Sequence, residues 1–204
     1  MAPVRTDRGF DRIVNFGDAV VAISITLLVL PLVDLHGQSP DAGVGDLLRH
    51  HGFEVVAFFL SFVVIGQLWL AHHRIFERAG SYDDVLLGLH LLWLLSIAFL
   101  PFPTALLGTS DNGRGETVLY IGALLASSLC LAALRWHLER TPALRAAGSD
   151  DDEGLIWSTP ILFAVALVLA AVVPGLGAWS LLAMLLGRPI GRLRRWRRTT
   201  HPIG

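Results

Sequence analysis

Asp18 is the first residue that invites a chemical reading. It stands at the head of the run Ala19–Val33, which carries no charge. A carboxyl facing lipid is costly, so it should face protein and find a donor. Candidate donors are Asn15, Arg12, the adjacent histidines His72 and His73, and His90. Two chemistries follow from that set. One is a proton relay between carboxyl and imidazole; the other is a buried packing pin. The pin is the plainer reading of Asp18, and interface residues at a span end the plainer reading of His72 and His73. Metal ligation has little support. The partner at helical spacing from the histidine pair is Glu77, four after His73, and a single pair of this kind is common by chance. Nucleophilic catalysis finds no setting. Ser24, Ser61 and Ser96 fall in apolar runs, none within Gly-x-Ser-x-Gly, and there is no His-Glu-x-x-His. A bis-histidine haem held by His73 and His90 is conceivable, and a colourless protein would dispose of it.

The elements that would carry these residues are membrane spans. The chain has 204 residues, 53% of them hydrophobic and 16% charged, with mean hydropathy +0.59. A soluble domain carries about 25% charged residues. The apolar excess sits in blocks near the roughly 20 residues that cross a bilayer. The single cysteine, Cys130, excludes a disulfide scaffold, and the apolar content excludes a disordered chain. A net charge of -1 argues against a nucleic-acid binder.

Six spans are expected, at 12–34, 53–75, 83–107, 115–136, 155–173 and 176–188, in a single domain over 1–204 that ends in a basic tail, 188–204. A cleaved signal peptide is the competing reading of the first block, but no small-residue cleavage site follows it. Residues His36–His51 read as a polar connector. Pro101 and Pro103 should break the last turn of the third span. Glu139–Gly154 reads as a solvated loop, with Ser149 or an aspartate able to cap the next helix. The sixth block is the shortest.

Every basic residue is arginine. With six spans and the N-terminus inside, only Arg49 and Arg114 fall outside, and the other 14 lie inside. This bias favours both termini in the cytoplasm. Were the sixth block peripheral, the bias would vanish. The tail arginines Arg188–Arg198, with Trp196 among them, suit anionic lipid headgroups better than RNA.

On a helix advancing about 100° per residue, Ile23, Leu27 and Leu30 share one stripe, with Thr26 beside it. Asp18 lies about 140° from Ile23, so acid and stripe face different neighbours.

The first span, Arg12-Ile-Val-Asn-Phe16-Gly17-Asp18-Ala-Val-Val-Ala-Ile23, closely resembles the opening helix of the transmembrane-protein-175 family of potassium channels, marked by Arg, three residues, then Phe-Ser-Asp. Two further stretches agree: Trp69-Leu-Ala-His72-His73-Arg74-Ile-Phe76 and Leu100-Pro101-Phe102-Pro103-Thr104. The first half matches well, the second only in layout. The resemblance implies an all-α membrane protein with six transmembrane helices per chain, assembled as a homotetramer whose first helices line a central pore. Ile23, Leu27 and Leu30, with Thr26 nearby, would face that pore, and Ile23 would be its constriction. It also implies a hydrogen-bond network of Arg12, Phe16, Asp18, a second-span histidine (His73 is chosen here) and His90. Two departures stand out: the family serine is Gly17, and the third-span asparagine is His90, which could repair the network or make it titrate.

The expected function is therefore passive conduction of K⁺ through a hydrophobic constriction, with modest preference over Na⁺ and proton passage left open. No enzyme activity, no cofactor, no resident metal and no nucleic acid are expected, only transient K⁺, lipid and three further copies. The expected site is the plasma membrane of a prokaryote. The alternative is a proton-coupled transporter using Asp18 and His90. Against it, the sequence has no internal repeat and no broken pair of spans at matching positions.

Overall fold

The computed structural model describes residues 7–38, 43–109, 114–146 and 156–172. The chain is all-helical there: α1 (Asp7–Leu27), α2 (Leu30–Gln38), α3 (Val44–His50), α4 (Gly52–Phe76), α5 (Asp84–Phe99), α6 (Pro101–Thr109), α7 (Arg114–Arg140) and α8 (Ser158–Val172). Four helical stretches are long and apolar enough to cross a membrane: Arg8–Asp34, Gly52–Phe76, Asp84–Leu107 and Arg114–Arg140. The expected fifth span corresponds to α8, which is 15 residues long. The expected sixth span, the basic tail and the capping residue Ser149 lie outside the described residues.

Prolines divide two of the spans. In the first, the helix breaks at Leu28–Val29. Pro31 has no N–H for the Leu27 carbonyl, so the preceding turn tightens. The Leu28 amide turns to the Ile25 carbonyl and the Val29 amide to that of Thr26. In the third, the break falls at Leu100, well inside the span rather than at its last turn. Pro101 and Pro103 leave the carbonyls of Ile97 and Phe99 without their usual donors. The Leu100 amide takes up the Ile97 carbonyl at 3.1 Å, and the chain continues as α6. The expected polar connector contains the short helix α3.

The core lies among α4, α5 and α7, where Ile65, Leu68, Trp93, Ile97, Tyr120, Ile121, Leu124 and Leu134 are buried. α8 packs on α7, and α1 lies against α5 and α4. A chain of hydroxyls crosses this core. Thr104 Oγ1 lies 2.9 Å from both the Leu100 carbonyl and Ser61 Oγ. Ser61 Oγ is 3.0 Å from the Tyr120 hydroxyl. If Tyr120 donates to Ser61, Ser61 to Thr104 and Thr104 to the carbonyl, every proton is used. The cluster thus joins α4, α6 and α7 beside the proline break.

At the other end of the bundle, the α4–α5 loop is tied to the segment after α7. The Gly80 amide donates to the Leu144 carbonyl and the Ala146 amide to the Arg78 carbonyl, both at 2.8 Å, around a bridge between Ala79 and Arg145. Asp83 caps α5 by accepting from the Leu86 amide at 2.7 Å. The same carboxyl accepts from His137 Nε2 at 2.9 Å. Phe10 of α1 stacks on Phe76 and Tyr82 beside this loop.

Candidate functional site: the first helix and its seat

Helix α1 has two unlike faces. Outward, Ile23 is 58% exposed, Leu27 41%, and Leu30, beyond the break, 52%. Thr26 is exposed as well, and its hydroxyl donates to the Ile23 carbonyl at 2.8 Å. The expected stripe is therefore left uncovered by the described residues. The opposite face is seated on α4 and α5. There Gly17, Val21 and Ser24 are buried. The Ser24 hydroxyl donates back to the Val20 carbonyl, which lets a polar side chain sit in an apolar contact.

Asp18 meets Trp69, not His73. The indole Nε1–H donates to its carboxyl at 2.8 Å. Trp69 is one turn before His73, and the carboxyl reaches α4 at that level. His73 instead pairs with Glu77 at 3.2 Å and stacks on the Trp69 ring, centroids 5.5 Å apart. It stands behind the donor without being one. An indole N–H can only donate and usually finds an acceptor when buried. That rule, applied to Trp69 and the one acid facing it, is the signal that could have found the pair.

The other histidine is the buried one. His72 Nε2 and His90 Nδ1 are 2.9 Å apart, one ring donating to the bare nitrogen of the other. The His72 ring lies flat on Trp93, 4.0 Å between centroids and 3° between planes, and on Phe76 at 4.3 Å. His90 packs against α1 at Gly17. So the resemblance's network divides in two within one chain: Asp18–Trp69, and His72–His90 against Gly17.

Arg12 and Phe16 belong to neither half. Both are exposed on α1, Phe16 at 55%, and among the described residues no ion pair joins Arg12 to Asp18. The six-residue spacing explains this, since it sets the two side chains about 120° apart on a helix.

No cluster of three or more histidine, cysteine or acidic side chains that could hold a metal occurs among the described residues.

Comparison with known proteins bears on the family to which this helix belongs. Residues 12–101 match the family described as endosomal/lysosomal potassium channel TMEM175. The chain is 35% identical to a potassium channel of Streptomyces collinus, over 64% of this chain and 65% of that one. It is 34% identical to a potassium channel of Chamaesiphon minutus, over 74% of this chain and 76% of that one. It is 31% identical to the human endosomal/lysosomal proton channel TMEM175, over 65% of this chain but only 26% of the human one. In three dimensions it is similar to the crystal structure of a lysosomal potassium-selective channel TMEM175 homolog from Chamaesiphon minutus, with a TM-score of 0.69, 28% identity, and coverage of 88% of this chain and 96% of that one. With its second span and most of its first and third inside the family match, and a relative aligned over about three quarters of its length, the chain belongs to the TMEM175 family.

Proposed function

We propose that the chain is one subunit of a passive, potassium-permeable channel in a prokaryotic plasma membrane. Four copies surround an axis, and α1 of each lines the pore. Each chain has six spans, the last at 176–188, with both termini cytoplasmic. The observation that carries this reading is the uncovered row Ile23, Leu27 and Leu30 opposite a face that is firmly seated. In a lone subunit that row would lie against lipid, whereas four such rows enclose a narrow aliphatic conduit.

The mechanism follows from the side chains. The sequence contains no Thr-Val-Gly-Tyr-Gly carbonyl filter. The narrow ring of Ile23 gates by dewetting. An ion that passes sheds part of its hydration, which costs K⁺ less than Na⁺ and gives a modest preference. Thr26 offers its hydroxyl oxygen beside the stripe, between Ile23 and Leu27 in the chain. Asp18 acts as a pin: its partner Trp69 is an indole, which has no proton to exchange near neutral pH. Arg12 and Phe16, exposed on α1, meet the neighbouring subunit. His73 supports the Trp69 ring, and His90 seats α1. The vertebrate relatives carry the name proton channel, so proton flux is measured beside potassium flux.

The test is the reversal potential of purified protein in a planar bilayer, KCl on one side and NaCl on the other. A value displaced toward the potassium equilibrium potential is expected. Ile23→Asn should wet the constriction, raise the current and move the reversal potential toward zero. Unchanged current and selectivity in that variant would remove Ile23 from its role. No current, with pH-driven uptake into liposomes, would replace the channel by a proton-coupled carrier.

A further inference from the structure

We propose that Gly17 and His90 form a matched notch and wedge that fixes how closely α1 approaches α5, so that His90 is a positioning residue for the conduction path. This rests on the pore reading of α1 given above. A Cβ at position 17 would lie 2.8 Å from His90 Cε1, 3.1 Å from His90 Nε2 and 3.8 Å from Leu94 Cδ2. Carbon atoms in van der Waals contact sit about 3.5–4.0 Å apart. Only glycine leaves room for the ring edge.

The ring has nowhere to retreat. His90 is fully buried. Its Nδ1 is held by His72 Nε2, and His72 is in turn clamped by Trp93 and Phe76. Phe76 also lies against His90, with centroids 5.0 Å apart. Nε2, on the edge that meets α1, has no hydrogen-bond partner among the described residues. At Gly17 the contact that edge makes is steric, while the Ile13 carbonyl and the Asp18 carboxylate of α1 also lie toward the ring. A glycine in the middle of a helix lowers its stability, so the notch is maintained against helix propensity. Asp18 follows Gly17 directly, and Ile23 stands six residues further along the same rigid element. A shift of the notch is carried to the constriction.

The experiment compares the full-length protein with Gly17→Ala, His90→Asn and the double variant, by potassium flux in liposomes, reversal potential and thermal unfolding in detergent. Asparagine keeps a polar atom near the place of Nδ1, facing His72, and removes the edge that faces Gly17. Gly17→Ala should melt below wild type, the reverse of what propensity dictates, and the displaced constriction should cost roughly tenfold in flux, a fold-change equivalent to about 1.4 kcal/mol. His90→Asn should conduct with a shifted reversal potential, because α1 settles closer to α5. The double variant should regain both melting temperature and flux. A Gly17→Ala protein that melts at or above wild type with normal flux would overturn the proposal. So would a double variant no better than Gly17→Ala, or wild-type reversal potentials in both asparagine variants. A wild type that carries no potassium would instead sink the channel reading, while the melting comparison still decides whether the notch and wedge exist.

Discussion

At the residue scale, the seat of α1 depends on two contacts with different chemistry. The Asp18–Trp69 bond is polar, and its removal has a predictable sign. Trp69→Phe keeps an aromatic ring beside His73 but deletes the donor that Asp18 has among the described residues, leaving a half-buried carboxyl without it. It should cost about 1–3 kcal/mol, seen as a lower melting temperature. Asp18→Ala should lower the yield of assembled oligomer in detergent. A stable oligomer that no longer conducts would instead give Asp18 a direct part in transport. That Asp18 needed a donor was legible in the sequence, because an acid next to an apolar run has few alternatives. Which donor it takes was not. His72 and His73 are adjacent, so their side chains diverge by about 100°, and only the rotation and height of α4 against α1 decide what Asp18 meets. The height favours Trp69, and the rotation sends His72 inward to His90.

At the element scale, prolines and caps decide where helices stop. The first four apolar blocks fall on the four helical stretches that are long and apolar enough to cross a membrane. The interior breaks were less legible. A proline disturbs the turn before it, and how far back the break falls depends on what can rescue the freed carbonyls. At this break the Leu100 amide takes up the Ile97 carbonyl, and the Thr104 hydroxyl, within reach of Ser61 43 residues away, adds a second donor to the Leu100 carbonyl. The cap of α5 gives a pH prediction. Burial opposes ionisation of Asp83, but the Leu86 amide and His137 outweigh it and hold the carboxyl below its usual value of 3.8. A carboxyl with a lowered folded pKa stabilises the fold above its unfolded pKa, and that contribution is lost as pH falls through the folded value. Asp83→Asn should therefore lower the melting temperature at pH 7. The gap between variant and wild type should close as pH falls below 3.8 and through the lowered folded value. A gap independent of pH would assign the effect to the cap's shape rather than its charge.

At the scale of the whole molecule, one chain presents a pinned face and a bare one. The apolar rows on the outer faces of α4, α5 and α8, such as Phe59, Leu95 and Val168, suit lipid or further protein. The row on α1 is the one whose burial should depend on assembly. Light scattering in detergent is expected to give the mass of four chains. A monomer that still carries potassium current would remove the central pore from the account. Crosslinking through a cysteine introduced at Ile23, with Cys130 replaced, should trap dimers between neighbouring α1 helices. A failure to crosslink would mean that these residues do not converge on an axis. The expected topology rests on arginine asymmetry, because charge bias acts on loops, independently of how helices pack. The face of each span was only partly legible, because both lipid and protein interiors accept leucine, valine and phenylalanine.

The tie between the α4–α5 loop and the stretch after α7 bears on how the chain is made. Arg78 and Gly80 emerge from the ribosome before Leu144 and Ala146, their backbone partners. At about 5–20 residues per second, that delay is on the order of 3–13 s. Throughout it, the early helices are in the membrane with their connecting loop unfastened. Synthesis of α7 is thus the event that closes the bundle, and a chain stopped short of Leu144 should be recognised by quality-control proteases through that open loop.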